Sequence, residues 1–198
     1  STATEDSGDT ATSTGTLSVS VDGVADAAEL TTADAAGSED TAIALNIDAG
    51  VTDDTEGLSI TISDVPAGAE LSAGTDNGDG TWTLDAGDLD GLTVTPPADS
   101  DGDFTLSVTA TTTDGTDTET VSGTVDVDVT GVADTPTLDL TAASGDEDNA
   151  IALDITSGLT DTDGSETLSV SISDIPDGAT LMSGGQEITV TDGVAEID

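Results

Sequence analysis

The chain contains no cysteine, lysine, arginine, histidine or tyrosine, and only one residue each of tryptophan, phenylalanine and methionine. Each absence closes off a kind of chemistry. Without cysteine there is no disulfide framework and no thiolate for soft metals. Without lysine or arginine there is no basic footprint to meet phosphate, which excludes nucleic acid and removes any attraction to an anionic membrane surface. Without histidine, cysteine and lysine, most general bases and nucleophiles are missing. Paired carboxylates can hydrolyse glycosides, but there are no pocket-lining aromatics or positioning cations to support such a site, and the sequence reads as non-enzymatic. The same shortage of aromatic platforms argues against a sugar-binding module. No apolar run approaches the ~18 residues of a membrane span, and the first ten residues, STATEDSGDT, do not have the pattern of a signal peptide.

What the sequence has in abundance is carboxylate: 33 Asp and 10 Glu in 198 residues, a formal charge of −43 with no side-chain cation to offset it. Hard divalent cations are the partner that answers such a charge, because they take oxygen ligands. Leu, Ile, Val and Phe together number 41, which places the composition near the disordered range. Their arrangement points the other way. Apolar residues alternate in Ala42-Ile43-Ala44-Leu45-Asn46-Ile47, in Leu58-Ser59-Ile60-Thr61-Ile62, in Leu106-Ser107-Val108 and at Val121, Val125, Val127 and Val129. Period two with abundant Thr and Val predicts half-buried strands, and the intervening Asp-Gly and Asn-Gly pairs predict turns. No stretch sustains a helical period. The expected class is all-β, with strands near residues 28–32, 41–47, 58–63, 69–72, 81–84, 92–95, 104–112 and 120–130. Trp82 and Phe104 are expected in the core, and Asp76 and Asp79 in TDNGDG are expected to shape a hairpin.

Self-comparison organises the chain further. TGTLSVSVDGVAD at 14–26 matches SGTVDVDVTGVAD at 122–134, and TAIALNID at 41–48 matches NAIALDIT at 149–156, both at an offset of 108. LSITISDVPAGAEL at 58–71 matches LSVSISDIPDGATL at 168–181 at an offset of 110, the slip falling where VTDDTEG becomes LTDTDGSET. The reading is tandem β-sandwich repeats of about 108 residues, Ig-like or cadherin-like by strand count. Residues 1–23 form the last strand or two of one repeat, 24–131 a complete repeat, and 132–198 the first part of another. Either the chain is a stretch of a longer array, or the tail of one copy completes the head of the next.

Carboxylates gather in four places beyond what turns and solubility require. They are Asp161-Thr-Asp163-Gly-Ser-Glu166 with its counterpart Asp53-Asp54-Thr-Glu56, then Asp99-Ser-Asp101-Gly-Asp103, then Glu39-Asp40 repeated as Glu147-Asp148, and finally Asp26 and Asp134 at the repeat junctions, preceded by Asp126 and Asp128. Alternating D-x-D around a glycine turns several carboxylates inward on one loop, which suits the flexible shell of 6–8 oxygens that Ca²⁺ prefers; the tighter Mg²⁺ octahedron fits less well.

The chain resembles the cadherin-like extender repeats of giant bacterial RTX adhesins. The resemblance rests on EDTAIALNI (39–47), LTDTDGSETLSVSISDIPDGATL (159–181), GTWTL (80–84), GLTVTPP (91–97), GDFTLSVTAT (102–111) and the VxVxxVAD repeat end. It implies structural Ca²⁺ between successive domains, an extracellular or cell-surface location, and neighbouring repeats or copies of the chain itself as partners, without direct membrane contact. Carried over by motif, it implies one junction site built from Glu39, Asp40, Asp99, Asp101, Asp103, Asp134, Asp161, Asp163 and Glu166. An upstream site would use Asp22, Asp26, Asp53, Asp54 and Asp114. The expected role is a calcium-stiffened spacer projecting a distal binding domain. The alternative is a subunit of a self-assembling filament or sheath in which copies exchange strands.

Overall fold

A computed structural model describes residues 1–161 and 163–197. It is essentially all-β, the one helical element among the described residues being a single 3₁₀ turn at Ala86–Leu89. The chain opens with a small hairpin, β1 (Thr2–Thr4) on β2 (Thr10–Thr12). Strands then run β3 (Glu29–Ala33), β4 (Ala35–Ser38), β5 (Ile43–Ala44), β6 (Asn46–Gly50), β7 (Gly57–Ser63), β8 (Glu70–Leu71), β9 (Thr75–Asp76), β10 (Trp82–Leu84), β11 (Thr93–Thr95), β12 (Phe104–Asp114) and β13 (Asp117–Thr130). Six of them form one curled sheet in the order β4-β13-β12-β7-β10-β9; β5, β11 and β8 form a second, and β3 pairs with β6. All these pairings are antiparallel except β4 on β13, which is parallel.

The period-two pattern turns into burial directly. Along β12, Leu106, Val108, Ala110 and Thr112 are fully buried, while the intervening Thr105, Ser107, Thr109 and Thr111 are not. On β13, Val125, Val127 and Val129 point inward, with Asp126 and Asp128 exposed between them. Both sheets contribute to one core: Ile60, Ile62, Leu106, Val108 and Val125 from the larger, and Ile43, Leu71 and Val94 from the smaller. This arrangement is consistent with a β-sandwich. Each fully buried Ile, Leu or Val contributes about 1.5–3 kcal/mol relative to exposure. Trp82 and Phe104 pack against this core but are only partly buried. Asp76 and Asp79 shape their hairpin as expected, accepting from the Gly78 N–H at 2.8 Å and from the Thr81 hydroxyl at 2.6 Å.

Beyond residue 131 the strands are short and pair only in twos: β14 (Thr137–Thr141) on β15 (Asp154–Gly158), β16 (Val170–Ile172) on β19 (Ala195–Ile197), and β17 (Leu181–Ser183) on β18 (Gln186–Ile188). An open cleft of about 1270 Å³ lies among them, lined by Ile151, Leu153, Ile172, Leu181 and Ile197 together with polar residues such as Asp148, Asn149 and Asp174. Within residues 1–23, expected to hold the last strand or two of a repeat, the strands are the short β1 and β2; residues 14–23 are exposed and form no strand.

Candidate metal centre

The carboxylate loops meet where β13 ends. The N–H of Glu39 donates to the carbonyl of Thr130, the last residue of β13, at 3.1 Å. The linker that follows turns back on the same side chain, the Val132 N–H donating to Glu39 Oε1 at 2.6 Å. Gly131 fits between two acids, since a Cβ there would stand 3.5 Å from the Asp101 Cβ and 3.7 Å from Glu39 Oε1. Asp40 and Asp99 both adopt left-handed backbone, at φ 56 and φ 52, a conformation Asp tolerates better than most residues. The Asp99 N–H donates to Asp40 Oδ1 at 3.1 Å, which ties the loop before β12 to the loop after β4.

Residues beyond the linker supply the rest. Asp161 Oδ1 accepts from the Asp163 N–H at 2.8 Å, Asp163 Oδ1 from the Ser165 N–H at 2.8 Å, and Asp161 Oδ2 from the Ser165 hydroxyl at 3.0 Å. These bonds wind the D-x-D-G-S turn into a compact carboxylate-bearing loop. It docks on the preceding segment through the Asp101 N–H, which donates to Asp163 Oδ2 at 3.3 Å. The Asp134 N–H donates to Glu166 Oε1 at 2.6 Å.

Two groups of oxygens result: Glu39 with Asp161 and Asp163, and Asp40 with Asp99 and Asp134, each with ligand atoms within 4.8 Å of one another. Oxygens bound to one Ca²⁺ lie within about 5 Å of each other, twice the Ca–O distance. Glu39 and Asp161 are each 1 % exposed, a burial that carboxylates rarely accept without a counter-charge. Glu39 Oε2, Asp134 Oδ2 and Glu166 Oε2 are buried and have no hydrogen-bond partner. Buried orphan acceptors of this kind call for a missing donor or ion, and the chain has no cationic side chain to offer. These acidic groups could hold a metal ion.

The electrostatics agree. The Val132 N–H favours ionised Glu39, but desolvation and the charges of Asp161, Asp40 and Asp163 outweigh it and hold the carboxyl above its ordinary value. Desolvation, with Asp134, Asp40 and Asp161 nearby, raises Asp99. A hydrogen bond to Asp163 and that residue's charge raise Asp101. Asp163 itself is held down at about 2 by the Ser165 N–H and hydroxyl and the Asp101 N–H. Crowded carboxylates resisting ionisation are what a bound divalent cation relieves.

Of the nine residues expected at this junction, six fall into the two oxygen groups and two more, Asp101 and Glu166, bond directly to members of them. Asp103 turns away and accepts from the Val129 N–H at 2.8 Å, fastening β12 to β13. The upstream set is looser. The Asp26 N–H donates to Glu56 Oε1 at 2.6 Å, the same bond that Asp134 makes with Glu166. Asp53 caps its own turn through Thr55, Asp114 lies against Gly23, and Asp22 and Asp54 are exposed. Glu56 was not among the expected ligands, yet it is 9 % exposed and its Oε2 is a buried orphan. Its equivalence to Glu166 at the offset of 110 was the available signal. Asp117, which accepts from the Ala25 N–H at 3.1 Å, carried no such signal.

The chain matches no protein-family model and no curated protein.

Proposed function

We propose that the chain is a metal-stiffened spacer: tandem Ig-like or cadherin-like β-sandwich repeats of a bacterial surface adhesin, with Ca²⁺ clamped between residues 24–131 and 132–198. The observation that carries this reading is the trio of buried, unpartnered carboxylate oxygens on Glu39, Asp134 and Glu166. Each of the two oxygen groups draws on residues before residue 131 and residues after it, Glu39 with Asp161 and Asp163, and Asp40 and Asp99 with Asp134, so an ion in either would join the two segments as well as neutralise its ligands. Without the ion, facing acidic loops repel and the joint is free to bend; with it, repulsion becomes attraction and the angle is fixed.

Calcium is favoured over magnesium because the donors are many, all oxygen and set on loops, whereas Mg²⁺ holds its waters and an octahedron. Extracellular modules work at affinities of about 10⁻⁴–10⁻³ M, which suits a cell-surface location. The partners are then neighbouring repeats, and the role is structural rather than catalytic. No described helix is long and apolar enough to cross a membrane.

Small-angle X-ray scattering tests the reading. Millimolar Ca²⁺ is expected to narrow the distribution of maximum dimensions, EGTA to broaden it, and Mg²⁺ to act weakly. Identical profiles in all three would remove the hinge-locking role. A second reading, a filament of strand-exchanging copies, is favoured by one separate observation: the exposed apolar side chains at residues 17–21 and 138–153.

A further inference from the structure

The two acid loops that match in sequence differ in length. VTDDTEG at 51–57 and LTDTDGSET at 159–167 align with Asp53 on Asp161, Thr55 on Ser165 and Glu56 on Glu166, which leaves Asp163 and Gly164 as an insert. Much of what surrounds the insert is common to both. Glu56 Oε1 accepts from the Asp26 N–H, and Glu166 Oε1 from the Asp134 N–H, each at 2.6 Å. The hydroxyls of Thr55 and Ser165 donate to Asp53 and Asp161, at 2.9 Å and 3.0 Å. Glu56 and Glu166 each keep a buried Oε2 without a partner. Either loop therefore clamps its linker, and the insert is not needed for that.

What the insert adds is reach. In the short loop Asp53 Oδ1 takes both the N–H and the hydroxyl of Thr55, each at 2.9 Å, so the carboxylate closes on its own turn. In the long loop the bonds are divided between two carboxylates. The Ser165 N–H goes to Asp163 Oδ1 at 2.8 Å and its hydroxyl to Asp161 Oδ2. Gly164, at φ 101, makes a turn that a side chain would resist. Asp163 Oδ2 is then free to meet the Asp101 N–H on the other side of the linker, at 3.3 Å. Asp163 also joins Asp161 and Glu39 in one group of oxygens, where Glu39 Oε2 is a buried orphan.

We propose that the length of this loop sets how much calcium a joint needs: the long form, carrying Asp163, takes its ion at lower calcium than the short form. The inference rests on the metal-stiffened reading above and adds that joints within one chain differ. Asp163 supplies a ligand oxygen and a charge that the short loop has no residue to match, while the clamp on the linker is the same in both. An array mixing the two loops would stiffen in stages as calcium rises, not at one threshold.

Calorimetric titration of the full chain with Ca²⁺ tests this on the parent and two variants. One deletes Asp163 and Gly164, which leaves LTDTSET, the length of the short loop. The other, Asp163→Asn, keeps the loop length and an acceptor for the Ser165 N–H while removing the charge. Both are expected to bind the junction ion about tenfold or more weakly than the parent, as altered metal sites do. Both should keep a cooperative urea transition in EGTA, which separates a lost ligand from a lost fold. If the deletion loses that transition, Asp163→Asn decides alone. Parent affinity in either folded variant overturns the inference and leaves the metal-stiffened reading standing. A parent that takes up no Ca²⁺ removes that reading, and this inference with it.

Discussion

The backbone N–H of Asp101 donates to Oδ2 of Asp163 across 3.3 Å, joining residues 62 positions apart. The two carboxylates that it brings side by side shift in opposite directions: contact with Asp163 and its charge raise Asp101 above its ordinary value, while the Ser165 N–H, with lesser help from the Asp101 N–H, holds Asp163 down at about 2. The acidic groups on these loops could hold a metal ion.

Calcium is expected to stabilise the fold as well as the joint. A ligand that binds only the folded state adds about 2.7 kcal/mol at a hundredfold excess over its dissociation constant. Thermal melting should show a clear rise in Tm with Ca²⁺, reversed by EGTA and only weakly reproduced by Mg²⁺. Superimposable melts would show that the orphan oxygens are met some other way.

Glu39→Gln keeps the shape of the side chain and the acceptor for the Val132 N–H while removing a buried negative charge. Without metal the variant is expected to be at least as stable as the parent. Its calcium affinity should fall by about tenfold or more, the lower end of what even outer-shell substitutions cost a metal site. Isothermal titration reads the affinity and urea unfolding the stability. Unchanged binding would remove Glu39 from the site.

The pH dependence has two parts of opposite sign. Glu39, Asp99 and Asp101 hold their protons more tightly in the folded state. In metal-free protein their ionised forms therefore oppose folding, and stability should rise as pH falls from neutral through their raised values. Asp163 works the other way: its contribution is complete above 3.8 and is lost as pH falls towards about 2. In calcium the first trend should reverse, because protons compete with the ion for the same oxygens. Urea midpoints measured against pH, in EGTA and in Ca²⁺, should have slopes of opposite sign on the acid side of neutrality.

Thr112 ends the inward row of β12 fully buried, and its hydroxyl donates to the carbonyl of Asp26 at 2.5 Å. Thr112→Val preserves volume but leaves that carbonyl without this donor, and is expected to cost about 1–3 kcal/mol. Urea unfolding would reveal it. A neutral substitution would mean that the linker near Asp26 is not held by this bond.

The acids at the junction were legible because their spacing is unusual for turns: D-x-D around glycine, and Glu-Asp before a strand. Glu56 was harder to see, since one glutamate in a loop of acids looks like solvated surface until the fold buries it. Asp103 shows the opposite case. It sits in the same motif, but its loop enters β12 directly, and its Oδ1 accepts from the Val129 N–H on the neighbouring strand.

By itself the sequence determined that the chain is built of strands, because alternating Val, Ile, Leu and Thr can bury one face only on a pleated backbone. It also set how the carboxylates group along the chain. Which strands form was decided by tertiary structure. TAIALNID and NAIALDIT are nearly the same peptide, yet Ile43 and Leu45 are 3 % and 5 % exposed while Ile151 and Leu153 are 46 % and 51 % exposed. Residues 43–44 form a strand because β11 lies beside them, and 151–152 pair with no strand among the described residues. A strand's hydrogen bonds and its burial both belong to its partner, so no local pattern can supply them.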